Sequence, residues 1–316
     1  MTSGRFDWVK LTLRLHRFEL FAFGAAIIAL VIGGILAAAY ADNFRSPPEC
    51  LNFNGDVPAS CDAALRKADE ARAYIGLITS PLLIVSFAIG LFLGVPIIAR
   101  ELERGTVRLA WWLAPSRWRW YLARLLPVLL ILVVLTFVAG FTMDRMFAAS
   151  NPSEDISKSF DGFGVRGGLI ASQAVFIFAV AVVVGSFIGR ALPAVIIAAV
   201  IAAIGITGGL HVQQKILASE AVVVPIDPFQ GGGTRPGDMY IDQRFVLPDG
   251  SMVGYEYFNG SDPYDQNGQP LYPQVALVIP GERYGFVQAR EALVLALGSL
   301  VALLVAGFVV ARRRPG

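Results

Sequence analysis

The chain has 316 residues, 55 % of them hydrophobic and only 16 % charged, with a formal net charge of +2 and a mean hydropathy of +0.61. Soluble domains carry about 25 % charged residues, and disordered chains combine low hydrophobicity with high net charge. Both classes are excluded, and an integral membrane protein is indicated. Two cysteines and two histidines argue against a disulfide-dense scaffold, a four-cysteine metal site or a histidine-based metal centre.

Residues 5–18 come first. Asp7, Lys10, Arg14 and Arg17 recur at helical spacing, while Phe6, Trp8, Val9, Leu13 and Phe18 cover other faces. That pattern predicts a helix lying in the membrane interface. Six apolar stretches follow, each long enough for the roughly 20 residues a bilayer core requires. They are Leu20–Ala41, Ala73–Ile98, Leu125–Met143, Gly167–Gly189, Ala191–Leu210 and Ala292–Ala311, and none contains a charged residue. Ala39-Tyr40-Ala41 has the look of a signal-peptidase site, but the apolar run before it exceeds the 7–15 residues of a signal core. The segment is therefore expected to stay in the chain.

Cys50 and Cys61 share the loop after the first span, and a disulfide between them is predicted. On the second, fourth and fifth spans, small residues recur four apart: Ser86, Gly90 and Gly94; Gly185 and Gly189; Gly205 and Gly209. Such spacing lets helices approach closely and is expected to serve helix packing in a dimeric pathway. Arg190 alone separates the fourth and fifth spans, which predicts a tight turn at Gly189-Arg190 with Pro193 in the first turn of the next helix.

Residues 211–287 are polar and rich in Gly and Pro. Turns are expected at Gly231-Gly232-Gly233 and Pro248-Asp249-Gly250. The segments 244–247 and 252–258 flank the second turn as paired strands, and Val222–Val224 and Val275–Ile279 are further strand candidates.

With the N-terminus placed in the cytoplasm, that side holds fourteen bases against four acids, and the opposite side twelve bases against twenty acids. The bias puts both termini inside and the long polar loop outside. The expected fold is thus an all-α polytopic membrane protein with six transmembrane helices, an N-terminal interface helix, and a small β-rich extracytoplasmic insertion between helices five and six. Residues 1–19 form the interface helix. Residues 20–210 hold the first five spans with a cytoplasmic loop at 99–124. The extracytoplasmic domain is 211–287, and 288–316 form the last span and a basic tail.

No GxxxxGK[ST] occurs; none of Lys10, Lys67, Lys158 and Lys215 follows a glycine. A nucleotide-driven process would need its phosphate cradle in another subunit. Loop 99–124 is the one substantial cytoplasmic loop. It opens with Glu101 and Glu103, read as the first turn of a short helix where the dipole favours acids. A Gly105-Thr106 break and a Pro115-Ser116-Arg117 turn follow.

Glu101, Glu103, Gly105-Thr106, Leu109, Pro115-Ser116-Arg117 and Arg119-Trp120, with Arg124 opening the third span, resemble the permease subunits of ABC-2-type transporters, the type V exporter fold. The segment Arg283–Glu291 is similar to the one before the last span in some members. The resemblance implies a permease without catalytic residues, metal or cofactor of its own. Its partners would be a second permease chain, the same or similar, and two copies of a cytoplasmic ATPase that holds ATP and Mg, all in a bacterial-type inner membrane. It further implies that Glu101, Glu103, Arg104, Gly105, Thr106 and Arg108 form the contact with that ATPase, the glycine allowing close backbone approach. Apolar spans favour a hydrophobic or amphipathic cargo, and no nucleic-acid partner is expected. A secondary carrier is disfavoured by spans without ionisable residues, and a membrane enzyme by the lack of clustered nucleophiles and acids. A non-transporting scaffold or sensor with an outer binding domain is the alternative.

Overall fold

The computed structural model describes residues 3–45, 50, 59–114, 116–152, 154–226, 235–258, 263–265 and 269–313. Among the described residues, eight helices run α1 (Ser3–Leu15), α2 (Arg17–Asn43), α3 (Ala59–Glu103), α4 (Val107–Leu113), α5 (Arg117–Ser150), α6 (Gly167–Ile188), α7 (Ala191–Glu220) and α8 (Tyr284–Arg312). Six of them, α2, α3, α5, α6, α7 and α8, are long and apolar enough to cross a membrane. The protein is a multi-pass membrane protein. Residues 1–151, 162–204 and 288–316 form one compact unit, and residues 152–161 and 205–287 a second.

In the helical unit the core lies where α3, α5 and α6 meet. Ile89, Leu93, Val128, Leu132, Phe178 and Val182 are sealed there from solvent. The small residues of α3 are used within the chain. A Cβ on Gly90 would stand 2.6 Å from the Ala174 carbonyl oxygen, and one on Gly94 would stand 2.7 Å from that of Phe178. Ser86 is buried on the same helix and donates its hydroxyl to the Leu82 carbonyl. This stripe therefore seats α3 against α6. On α7, Gly205 and Gly209 are exposed, and a Cβ on Gly209 would meet nothing within 4 Å.

The turn at Gly189-Arg190 is present. Gly189 ends α6 in the left-handed conformation (φ 68°), donating its N–H to the Gly185 carbonyl, which is the geometry glycine favours at a helix end. The helices extend well beyond the apolar runs. Helix α3 has 45 residues, about 68 Å at 1.5 Å per residue, against a bilayer core of about 30 Å. Its first turns carry the local pairs Arg66–Asp62 and Arg72–Asp69, which support an exposed helix by i,i+4 and i,i+3 attraction. Cys50 and Cys61 are bridged as expected, with Cα atoms 5.5 Å apart.

The second unit holds a four-stranded antiparallel sheet of β1 (Val222–Pro225), β2 (Met239–Val246), β3 (Met252–Val253) and β4 (Gln274–Ile279), ordered β1-β4-β2-β3. The hairpin around Pro248-Asp249-Gly250 pairs Phe245 with Val253, and Gly250 takes a φ of 83°. Residues 255–258 depart from the expected strand and coil into a 3-10 turn. That turn brings Phe258 to 5.1 Å from the Phe245 ring, edge to face, so apolar burial overrides strand propensity. The segment 156–161 also belongs to this unit: the Phe160 N–H donates to the Gly237 carbonyl at 2.8 Å. The expected turn at Gly231-Gly232-Gly233 lies outside the described residues.

Candidate functional site

One end of the helical unit gathers the charged residues singled out above. Helix α3 leaves its apolar run at Ile98 and continues to Glu103. Gly105 then takes a φ of 70°, and a Cβ at this position would meet nothing within 4 Å. The positive φ by itself calls for glycine at this position. Thr106 follows, its hydroxyl 3.4 Å from the Glu101 carbonyl, and α4 begins at Val107. The result is an elbow of two helices.

Glu101 and Glu103 accordingly sit in the last turn of α3, not in the first turn of a new helix. The dipole at a helix C-terminus disfavours acids, so each needs its own compensation. Glu101 turns inward and pairs with Arg124 at 2.7 Å, both side chains largely buried at 15 % and 5 % exposure. Arg124 lies in the second turn of α5 and also reaches the Thr12 hydroxyl of α1 at 3.4 Å. Glu103 turns the other way and accepts the N–H of Ala191 at 3.1 Å, capping the start of α7. Two acids two residues apart thereby tie the elbow to α5 and to α7.

Three further ties complete this end. Arg100 pairs with Glu19 near the start of α2. Arg117 donates to the carbonyls of Ala311 and Arg313, 2.9 Å each, at the end of α8, and stacks over Trp111 at 4.4 Å. Arg313 donates to the Ser186 carbonyl at the end of α6. Last-turn carbonyls lack partners inside their helix, and a cationic donor also suits the dipole there. Ser116 caps α5 by accepting the Arg119 N–H at 3.2 Å, which explains the Ser-Arg pair of the motif; Pro115 lies outside the described residues.

Arg104, Gly105 and Thr106 are exposed, as is Glu103, and Trp112 on α4 is 90 % exposed. Arg108 lies on α4, but its side chain falls outside the described residues. Of the six residues assigned to partner contact, four form the outer rim of the elbow, and Glu101 faces the core. His16 belongs to no motif in the sequence, yet it lies at this site. It joins α1 to α2 and is buried, and its Nδ1 has no hydrogen-bond partner among the described residues. Burial holds its imidazole below the ordinary 6.5, with Arg100 and Arg124 adding to the effect and Glu19 opposing it.

No curated protein and no solved structure matches the chain. A family described as ABC-2 membrane transporter related matches residues 19–212. The matched stretch runs from the start of α2 to within α7 and contains the whole elbow. With well over half its length matched, the chain belongs to the ABC-2 membrane transporter related family.

Proposed function

We propose that this chain is the transmembrane permease subunit of an ATP-driven exporter. Two such chains, the same or similar, form the translocation path, and two copies of a cytoplasmic ABC ATPase drive it with ATP and Mg held in that subunit. The observation that carries the reading is the elbow within the family-matched stretch: an exposed, charged rim fastened by Glu101 and Glu103 to two transmembrane helices. A push on Arg104, Gly105 and Thr106 would travel through Glu101 to Arg124 and α5, and through Glu103 to α7. Glu103, Arg104, Gly105, Thr106 and Arg108 make the contact in this reading, and Glu101 transmits it.

The charge bias supports an elbow and two termini on the cytoplasmic side of a bacterial-type inner membrane, with the sheet unit and the disulfide on the outer side. Apolar runs without internal charge suit a hydrophobic or amphipathic cargo. Gly205 and Gly209, exposed on α7, suit a helix contact with the second permease chain.

The test is purification of the tagged full chain from its native membrane. A cytoplasmic ABC ATPase should accompany it, and its hydrolysis should respond to the permease. Arg104→Glu should lower complex formation about tenfold or more, because a like charge would then face whatever acidic surface receives Arg104. Absence of any ATPase, or full coupling in a correctly inserted Arg104→Glu chain, would remove the elbow from the mechanism.

A further inference from the structure

The elbow end contains a groove of about 280 Å³ between α1, the end of α3, α4 and the start of α5. Its polar lining is Arg100, Arg104, Arg124, Glu101, Thr106 and His16; Leu11, Leu15 and Leu109 are prominent in its apolar wall. Those three leucines are 43 %, 45 % and 67 % exposed, so apolar surface stands open beside a cationic floor.

The depth of this floor decides what it meets. The uncharged runs of α2, α3 and α5 begin or end at Leu20, Ile98 and Leu125. His16, Arg100, Glu101 and Arg124 each lie within four residues of one of those boundaries, which is about 6 Å along a helix. The groove therefore sits where hydrocarbon gives way to headgroups. A soluble ligand would use the cations but gain nothing from the leucines; a phospholipid uses both.

Charge selects among phospholipids. Within the groove, Glu101 neutralises Arg124, and Glu19 occupies one terminal nitrogen of Arg100. A guanidinium carries five donors, so Arg100 can hold Glu19 and a phosphate together. Arg104 is exposed and adds a cation in excess of the acids. Lys10, Arg14 and Arg17 add exposed positive charge along and just after α1. His16 supplies a buried nitrogen on the groove wall that has no hydrogen-bond partner among the described residues. A zwitterionic headgroup would bring its own ammonium toward these arginines, whereas an anionic one would not.

We propose that this groove binds one anionic phospholipid of the surrounding leaflet, its phosphate held by Arg100 and Arg104 and an acyl chain laid along Leu11, Leu15 and Leu109. The lipid then touches the last turn of α3 and the first of α4 together, so its occupancy stiffens the elbow. The proposal concerns this chain alone and does not depend on an ATPase.

The test uses the purified full chain, without ATPase, in mild detergent with equal amounts of phosphatidylglycerol and phosphatidylcholine, read by native mass spectrometry. The wild type should retain phosphatidylglycerol preferentially. Arg104→Gln should weaken that retention about fivefold, the effect of one base near an anionic lipid. Inorganic phosphate should not strip the lipid; if it does, the site is one for a soluble anion and the proposal fails. On the unaltered protein, phosphatidylglycerol with a photoreactive acyl chain should label residues 9–15 and 107–110. Labelling spread evenly along the apolar helices, or equal retention of both lipids, overturns it.

Discussion

The two ends of the helical unit are held by different means. At the elbow end, side chains from one helix grip the terminus of another: Glu103 on α7, Arg117 on α8, Arg313 on α6, and the Glu101–Arg124 pair between α3 and α5. At the opposite end there is a covalent bridge between Cys50 and Cys61 and a knot around one arginine. Arg166, 2 % exposed, pairs with Asp144 of α5 at 2.9 Å, and its carbonyl accepts the Gln288 side-chain amide of α8 at 3.2 Å. The first arrangement is many polar ties around an exposed rim, with one largely buried pair, Glu101–Arg124, beneath it; the second joins a buried cation to a covalent bridge. Polar ties at exposed helix termini can re-form after a small displacement, with water standing in meanwhile, whereas a disulfide does not part. On that contrast the elbow end is expected to yield more readily than the far end.

Removing the far-end knot should have the largest effect. Arg166→Ala empties a buried site and takes the cation away from Asp144, which is 30 % exposed, so a loss at the lower end of the roughly 3–5 kcal/mol for a buried pair is expected, read as unfolding free energy in detergent. Glu101→Gln at the elbow should cost less, because glutamine keeps an oxygen acceptor for Arg124 within a pair that is itself largely buried. Equal losses would show that the charge of Glu101, not its hydrogen bond, holds that end.

Cys61→Ser removes the bridge, and a loop of this size gives up roughly 3 kcal/mol in the chain-entropy model. Mass spectrometry of the unreduced wild type should find no free thiol. A variant that unfolds at the wild-type midpoint would mean that the bridge is not what fastens this end.

Gly105→Ala isolates the elbow itself. With a φ of 70° and open space around it, the only cost is the left-handed backbone, about 1 kcal/mol. Stability should therefore change little while coupling to an ATPase falls. Gly94→Ala is the sharpening control: its Cβ would meet the Phe178 carbonyl at 2.7 Å, so overpacking of about 1–3 kcal/mol is expected in stability.

The smallest effect is one of pH, and it belongs to the elbow end. His16 titrates below 6.5 when folded, so the unfolded chain binds the proton first as pH falls. Its contribution is complete above 6.5 and is lost as pH drops from there through the folded value. Melting temperature should decline over that window, and His16→Gln should flatten the decline. An unchanged slope would show that His16 does not govern it.

Much of this was legible in the sequence. Uncharged runs mark the spans because a bilayer tolerates no charge there, Gly189-Arg190 marks the hairpin, and two cysteines eleven residues apart both fall between the first two apolar runs, though Cys61 lies in the first turn of α3. The polar first turns of α3 were not legible: Asp62, Arg66, Asp69 and Arg72 read as loop composition, and only their i,i+3 and i,i+4 spacing hinted at helix. Nor was the role of Glu101. Its partner Arg124 is far along the chain, and the pairing follows from two helices ending at the same depth. That signal was available, since Glu101 follows the run ending at Ile98 and Arg124 precedes the run starting at Leu125. The docking of residues 156–161 on the sheet unit left no local pattern at all, because it rests on backbone contacts with Gly237 and Gly281.

An elbow that faces a cytoplasmic ATPase should be within its reach, while the far end of the helical unit should not. Photoreactive residues in place of Trp112, 90 % exposed on α4, and of Arg145, 64 % exposed near the end of α5, test this directly in intact cells. A crosslink from position 112 to an ABC ATPase and none from position 145 is expected. Labelling of position 112 by a membrane-impermeant reagent from outside, or an ATPase crosslink from position 145, would contradict it.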